Sequence, residues 1–154
     1  MRTPLAAIGK QRAAPDRIGG VLPVTAAHVR LFLHVIAATI WVGGQFTLAG
    51  LVPVLRPLGA DATRAAARRF NVLAWPAFAV LLATGVWNLA AVHLGDTSHA
   101  YQVTVMLKLT AVAVSGVGAA AHIIGRSKVA LAVGGALSSL GAIAALFLGV
   151  LLHS

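Results

Sequence analysis

Residues 31–55 read LFLHVIAATIWVGGQFTLAGLVPVL, an uncharged run bracketed by Arg30 and Arg56. A helix needs about 20 predominantly apolar residues to cross roughly 30 Å of hydrocarbon. This stretch passes that test with only His34 and Gln45 as strongly polar side chains, and residues 70–93, 101–125 and 129–152 pass it too. The sequence therefore predicts an all-α integral membrane domain over residues 28–154 with four transmembrane helices. Connections this short force neighbouring helices to run antiparallel, which makes an antiparallel four-helix bundle with both ends of the chain on one side.

Composition leads to the same class. The chain has 154 residues, 59% hydrophobic and 10% charged, with a mean hydropathy of +0.91. A typical soluble domain is about 45–50% apolar and about 25% charged, so a soluble enzyme is excluded and the lipid bilayer becomes the principal partner. Twelve Lys and Arg against three acids give a formal charge of +9. On a soluble chain that balance would point to nucleic acid; here the bases flank apolar runs, and topology accounts for them without any nucleic-acid partner. The absence of cysteine removes disulfides, thiolate metal sites and Cys nucleophiles. With Met1 and Met106 as the only thioethers, a ladder of soft ligands for copper(I) is excluded as well. The acids Asp16, Asp61 and Asp96 all fall outside the spans, so no carboxylate relay crosses the membrane.

Residues 1–27 have a different character, with Pro4, Pro15, Pro23, a Gly19-Gly20 pair and Arg2, Lys10, Arg12 and Arg17 among alanines. They are expected to form a flexible basic tail, either contacting anionic lipid or a partner, or simply a dispensable extension or a misplaced start. No apolar signal-peptide core precedes Val29. The loop after the first span carries Arg56, Arg64, Arg68 and Arg69, and the loop after the third carries Arg126 and Lys128. Lys and Arg counted close to the spans favour a cytoplasmic location for these two loops, with both termini outside.

Polar groups inside the spans are the candidate functional residues. His34, Trp41 and Gln45, at i, i+7 and i+11, share one face of a regular helix. Lys108 lies about two turns inside the third span, either meeting a partner in the bundle interior or snorkelling to headgroups. Asn88 and Thr84 are one turn apart on the second span. Antiparallel threading puts His34, Asn88 and Lys108 within one to two turns of the same membrane face, a polar layer that serves a site or only fixes helix register. Just beyond it lie His28, His93, Asp96, His99 and His153. Imidazole and carboxylate suit divalent ions of the copper, nickel and zinc group, although interfacial histidines are also commonly just solvated. His122 belongs to the opposite face, beside Arg126 and Lys128. Gly116 with Ala120 and Gly141 with Ala145 match the small-xxx-small spacing of packed membrane helices.

The string His34-Val-Ile-Ala-Ala-Thr-Ile-Trp41-Val-Gly43-Gly44 followed by Leu51-Val-Pro53 resembles the opening helix of CopD-type copper-resistance membrane proteins. Arg69-Phe70, Thr84-Gly85 with Asn88, and Tyr101 with Lys108 continue the resemblance in order over about residues 28–125. It implies a bacterial inner-membrane protein involved in copper ion transport, uptake or tolerance, working with a periplasmic copper-binding protein; separately, four helices leave little room for a private pore, which makes a homodimer or a larger membrane complex an expectation. On that reading His28, His93, Asp96 and His99 collect ions, and His34 is the first intramembrane station. Trp41 and Gln45 line the path beyond, Asn88 orients the imidazole and Lys108 tunes the charge. The His34 and Lys108 pair is also similar to HemJ-type membrane proteins, which implies haem b held by His34 and Lys108; the end of the first span, Gln45-Phe46-Thr47 leading to Leu51-Val-Pro53, departs from that pattern. A noncatalytic accessory subunit of a larger membrane complex is the third reading.

Overall fold

A computed structural model describes residues 23–153, and the expected basic tail lies outside the described residues apart from its last few positions. Four helices are long and apolar enough to cross a membrane: α1, Ala26–Leu58; α2, Ala60–Ala90; α3, His99–Ile124; and α4, Lys128–Leu151. No strand occurs among the described residues. The protein is an all-α membrane bundle.

The helix boundaries follow from local chemistry. Thr25 caps α1 by accepting from the His28 amide while the His28 ring Nδ1 accepts from the Thr25 amide at 3.2 Å, so a histidine fills the place that Glu or Gln takes in a capping box. Ser98 and Ser127 cap α3 and α4 in the same manner, through the amides of Tyr101 and Ala130. Gly59, at φ 104°, is the single residue between α1 and α2; this left-handed conformation suits glycine and turns the chain back at once. As a result α2 starts ten residues before the apolar span at residue 70, carrying Arg64, Arg68 and Arg69 on a helix and not on a loop. It ends at Ala90, and a short 3-10 turn, Leu94–Asp96, leads to α3.

Two features interrupt α1. Residues Thr39–Gly43 form one π-helical turn, and Pro53 lies within the helix beyond it. Thr39 and Thr47 hydroxyls donate to the carbonyls of Val35 and Gly43, side-chain competition that bends helices. Along α1, His34 bonds Thr84 of α2, Trp41 packs on Phe78 of α2 and bonds Ser115 of α3, and Gln45 bonds Ser139 of α4.

α3 and α4 form the most extensive pair. A Cβ built on Gly118 would come within 2.6 Å of the Ser138 amide nitrogen and 2.8 Å of the Gly134 carbonyl, so the two backbones touch where side chains normally separate them. Gly141 fits against Ala111 and Ser115 in the same interface, while Gly116 turns the other way, toward the Phe78 ring of α2. Large apolar side chains such as Phe32, Phe46 and Phe147 remain more than 60% exposed, as a lipid-facing surface demands.

Candidate functional site

The interior contains three layers of different chemistry. In the outermost, toward the chain termini, the His34 ring Nδ1 lies 2.7 Å from the Thr84 hydroxyl of α2. That hydroxyl has one proton, and it is directed at the Val80 carbonyl at 2.7 Å. Thr84 therefore accepts from the His34 Nδ1–H, which leaves the lone pair on Nε2. Gly85 lies against the same ring, with room for no more than ordinary contact at its Cβ position.

Lys108 of α3 belongs to this layer. Its Nζ fits into the space left by Gly149 of α4, where a Cβ would be 3.1 Å away, and it has no ion pair among the described residues. His153 donates from Nδ1 to the Gly149 carbonyl at 2.9 Å, since a carbonyl can only accept, and so presents Nε2 as well. His34, Lys108 and His153 thus lie at the same end of the bundle.

Asn88 stands one turn nearer the surface and does not orient the imidazole. Its Oδ1 accepts from the Arg30 Nε at 2.5 Å, and the Arg30 guanidinium lies 5.7 Å from the centre of the Trp87 ring. Thr84 takes the orienting place, and the Arg30 contact was not legible from a residue that looked like a span boundary. His28, His93, Asp96 and His99 all lie exposed on the same side as His34. His28 commits its Nδ1 lone pair to the helix cap, and among the described residues no three His, Asp or Glu side chains come together in a group that could hold a metal ion.

The middle layer is aromatic. Trp41, 4% exposed, packs on Phe78 at 4.4 Å between ring centres and edge-on against Trp75 at 5.9 Å. Its Nε1–H donates to Ser115 Oγ at 3.0 Å, and Ser115 donates onward to the Ser138 carbonyl at 2.8 Å. Ser115, only 1% exposed, was missed by sequence reasoning because a serine among glycines and alanines looks like any small packing residue.

Beyond this plug is a cavity of about 300 Å³ with walls from all four helices, including Trp41, Gln45, Trp75, Ala119, His122 and Ser139. Gln45 Oε1 accepts from Ser139 at 2.9 Å, while its amide nitrogen is buried with no partner. His122 donates from Nδ1 to the Leu131 carbonyl at 2.5 Å and keeps its Nε2 lone pair. No family model, curated protein or solved structure matches this chain.

Proposed function

We propose that this is a CopD-like bacterial inner-membrane protein that handles copper ions, with His34 as its intramembrane ligand. The observation that carries the reading is the Thr84 bond, which holds the imidazole in the tautomer whose Nε2 is free. Metal-binding histidines are characteristically held in this way, by a hydrogen bond to the other ring nitrogen. His153 and Lys108, at the same end of the bundle, would offer further nitrogens. His28, His93, Asp96 and His99 form a looser, solvent-facing surface that gathers ions before His34 takes them. The basic ends of the bundle lie in the cytoplasm and the His34 end faces the periplasm, where a copper-binding protein would deliver its cargo.

His34→Ala is expected to abolish copper-dependent accumulation or tolerance in cells while the purified protein keeps its helical content and its elution volume. An unchanged copper phenotype in a well-folded variant would overturn the role.

A second reading shares the same residues. Lys108 without an ion pair and His34 with a free Nε2 are a donor pair fit for haem b, which would supply one-electron redox chemistry. Here Thr84 orients the histidine. Oxidised and dithionite-reduced absorbance spectra, with iron and copper measured on the same sample, separate the two. A Soret band with stoichiometric iron favours haem, a colourless protein retaining copper favours the copper reading, and a protein with neither favours an accessory subunit of a larger complex.

A further inference from the structure

The cavity at the opposite end from His34 includes Trp41 and Gln45, which the copper reading places along its path, but neither metal reading gives it an occupant of its own. We propose that it binds one long-chain amphiphile with an anionic head, the chain lying beside Trp41 and Trp75 and the head at the arginine-rich mouth of the bundle. Leu48, Val52, Phe70 and Trp75 give it apolar walls, and its volume of about 300 Å³ lies at the lower end of the range for small-molecule sites. The recess opens outward at Trp75, His122 and Ile123, which are exposed, and the medium around these helices is acyl chain. A hydrocarbon segment is the occupant whose chemistry fits both the walls and the surroundings.

The mouth decides the head group. Register sets Arg56 one turn beyond Val52 on α1, and Arg68 and Arg69 directly before Phe70 on α2. Arg126 is four residues beyond His122, just past the end of α3. All four arginines are exposed. The acid at this end, Asp61, is already paired with Arg64 at 3.2 Å, and that is the one ion pair among the described residues. Asn71 and His122 add side-chain hydrogen-bonding groups at the same level of the wall. A carboxylate or a phosphodiester meets this collar equally well, so a free fatty carboxylate and an anionic phospholipid share the required chemistry. The buried Gln45 amide nitrogen, without a partner, marks the inner boundary of the polar lining.

Trp41 is a built-in reporter, because it is part of the cavity wall while being largely buried within the bundle. The full chain carrying Trp75→Phe and Trp87→Phe, leaving Trp41 as its single tryptophan, is placed in phosphatidylcholine nanodiscs and titrated with brominated stearate. Separate samples contain brominated phosphatidylglycerol or brominated phosphatidylcholine. Bromine quenches tryptophan only near contact, so saturable quenching by stearate identifies a free carboxylate and quenching by phosphatidylglycerol alone identifies a membrane lipid; either result supports the site. Arg68→Ala with Arg126→Ala is expected to weaken the apparent affinity about tenfold, the scale of two exposed charge contacts. Ala119→Leu, which fills the cavity from α3, is expected to remove the quenching. Equal quenching by phosphatidylcholine would overturn the anionic head, and no quenching by any probe would overturn the site. Quenching that persists in Ala119→Leu would overturn its location.

Discussion

Alanine placed at four glycines of this bundle should give a graded series of stabilities, set by what each new methyl group meets. At Gly118 the Cβ would lie 2.6 Å from the Ser138 amide nitrogen and 2.8 Å from the Gly134 carbonyl oxygen. Ordinary contact begins near 3.4 Å, so the deficit is about 0.8 Å against backbone atoms that no side-chain rotation can move aside. α3 and α4 would have to separate, and the separation would extend to Gly141, whose Cβ position is 2.8 Å from the Ala111 carbonyl. Overpacking in a dense interior costs about 1–3 kcal/mol and occasionally more, and a backbone clash belongs at the upper end, about 3 kcal/mol. At Gly116 the obstacle is the Phe78 ring at 2.7 Å, which can turn but is itself packed on Trp41, so about 1 kcal/mol is expected. At Gly43 and Gly50 nothing lies within 4 Å, and alanine should be neutral or stabilising by up to about 1 kcal/mol through helix propensity. Equilibrium unfolding in mixed micelles, followed by tryptophan emission, measures all four. A Gly118→Ala protein within about 0.5 kcal/mol of Gly50→Ala, the scatter of ordinary surface substitutions, would refute the close approach of α3 and α4.

Two further substitutions probe the upper layers. Thr84→Val keeps the shape of the side chain but removes the acceptor for the His34 Nδ1–H; copper affinity measured by chelator competition should fall about 10- to 100-fold, while Thr84→Ser should stay near the parent value, and an unchanged affinity in Thr84→Val would sever Thr84 from the site. Ser115→Ala leaves the buried Trp41 Nε1–H without its acceptor and should cost about 1–3 kcal/mol in the same unfolding assay; an unaltered stability and an unshifted Trp41 emission would show that the bond contributes nothing.

What the sequence made legible was set by length and hydropathy, and what it hid was set by side-chain direction. Four runs of apolar residues between charges sufficed for the four spans, because the cost of leaving backbone groups unpaired in lipid permits few alternatives to a helix. The start of α2 was concealed because Arg64, Arg68 and Arg69 are as compatible with a helix extending beyond the bilayer as with a loop, and only Gly59 signals the tight turn. His34 and Lys108 stood out as polar groups in an apolar field. Their partners did not: Thr84 and Asn88 are both hydrogen-bonding residues one turn apart, and the choice between them depends on the rotation of α1 against α2. The π turn at Thr39–Gly43 has no compositional mark beyond Thr39 and the Gly43-Gly44 pair, and the bond from Ser139 to Gln45 that follows it was not legible either.

The layers repeat at the same interval on all four helices, and this links the two proposed sites. His34 and Trp41 are seven residues apart, as are Lys108 and Ser115; on the antiparallel partners, Thr84 and Ala77, and Gly149 and Ala142, have the same separation. Seven residues are about 10 Å along a helix, so the nitrogen-rich layer lies about 10 Å above a layer in which Trp41, Ala77, Ser115 and Ala142 are all buried. The cavity begins on the far side of Trp41. An ion held at His34 is therefore separated from the basic end by a packed indole whose own hydrogen bond ties α1 to α3 and, through Ser115, to α4. An acyl chain in the cavity would lie against the same ring, since Trp41 is part of its wall. On the proposed occupancy, the single tryptophan that reports on the amphiphile is also the residue that separates the cavity from the His34 layer.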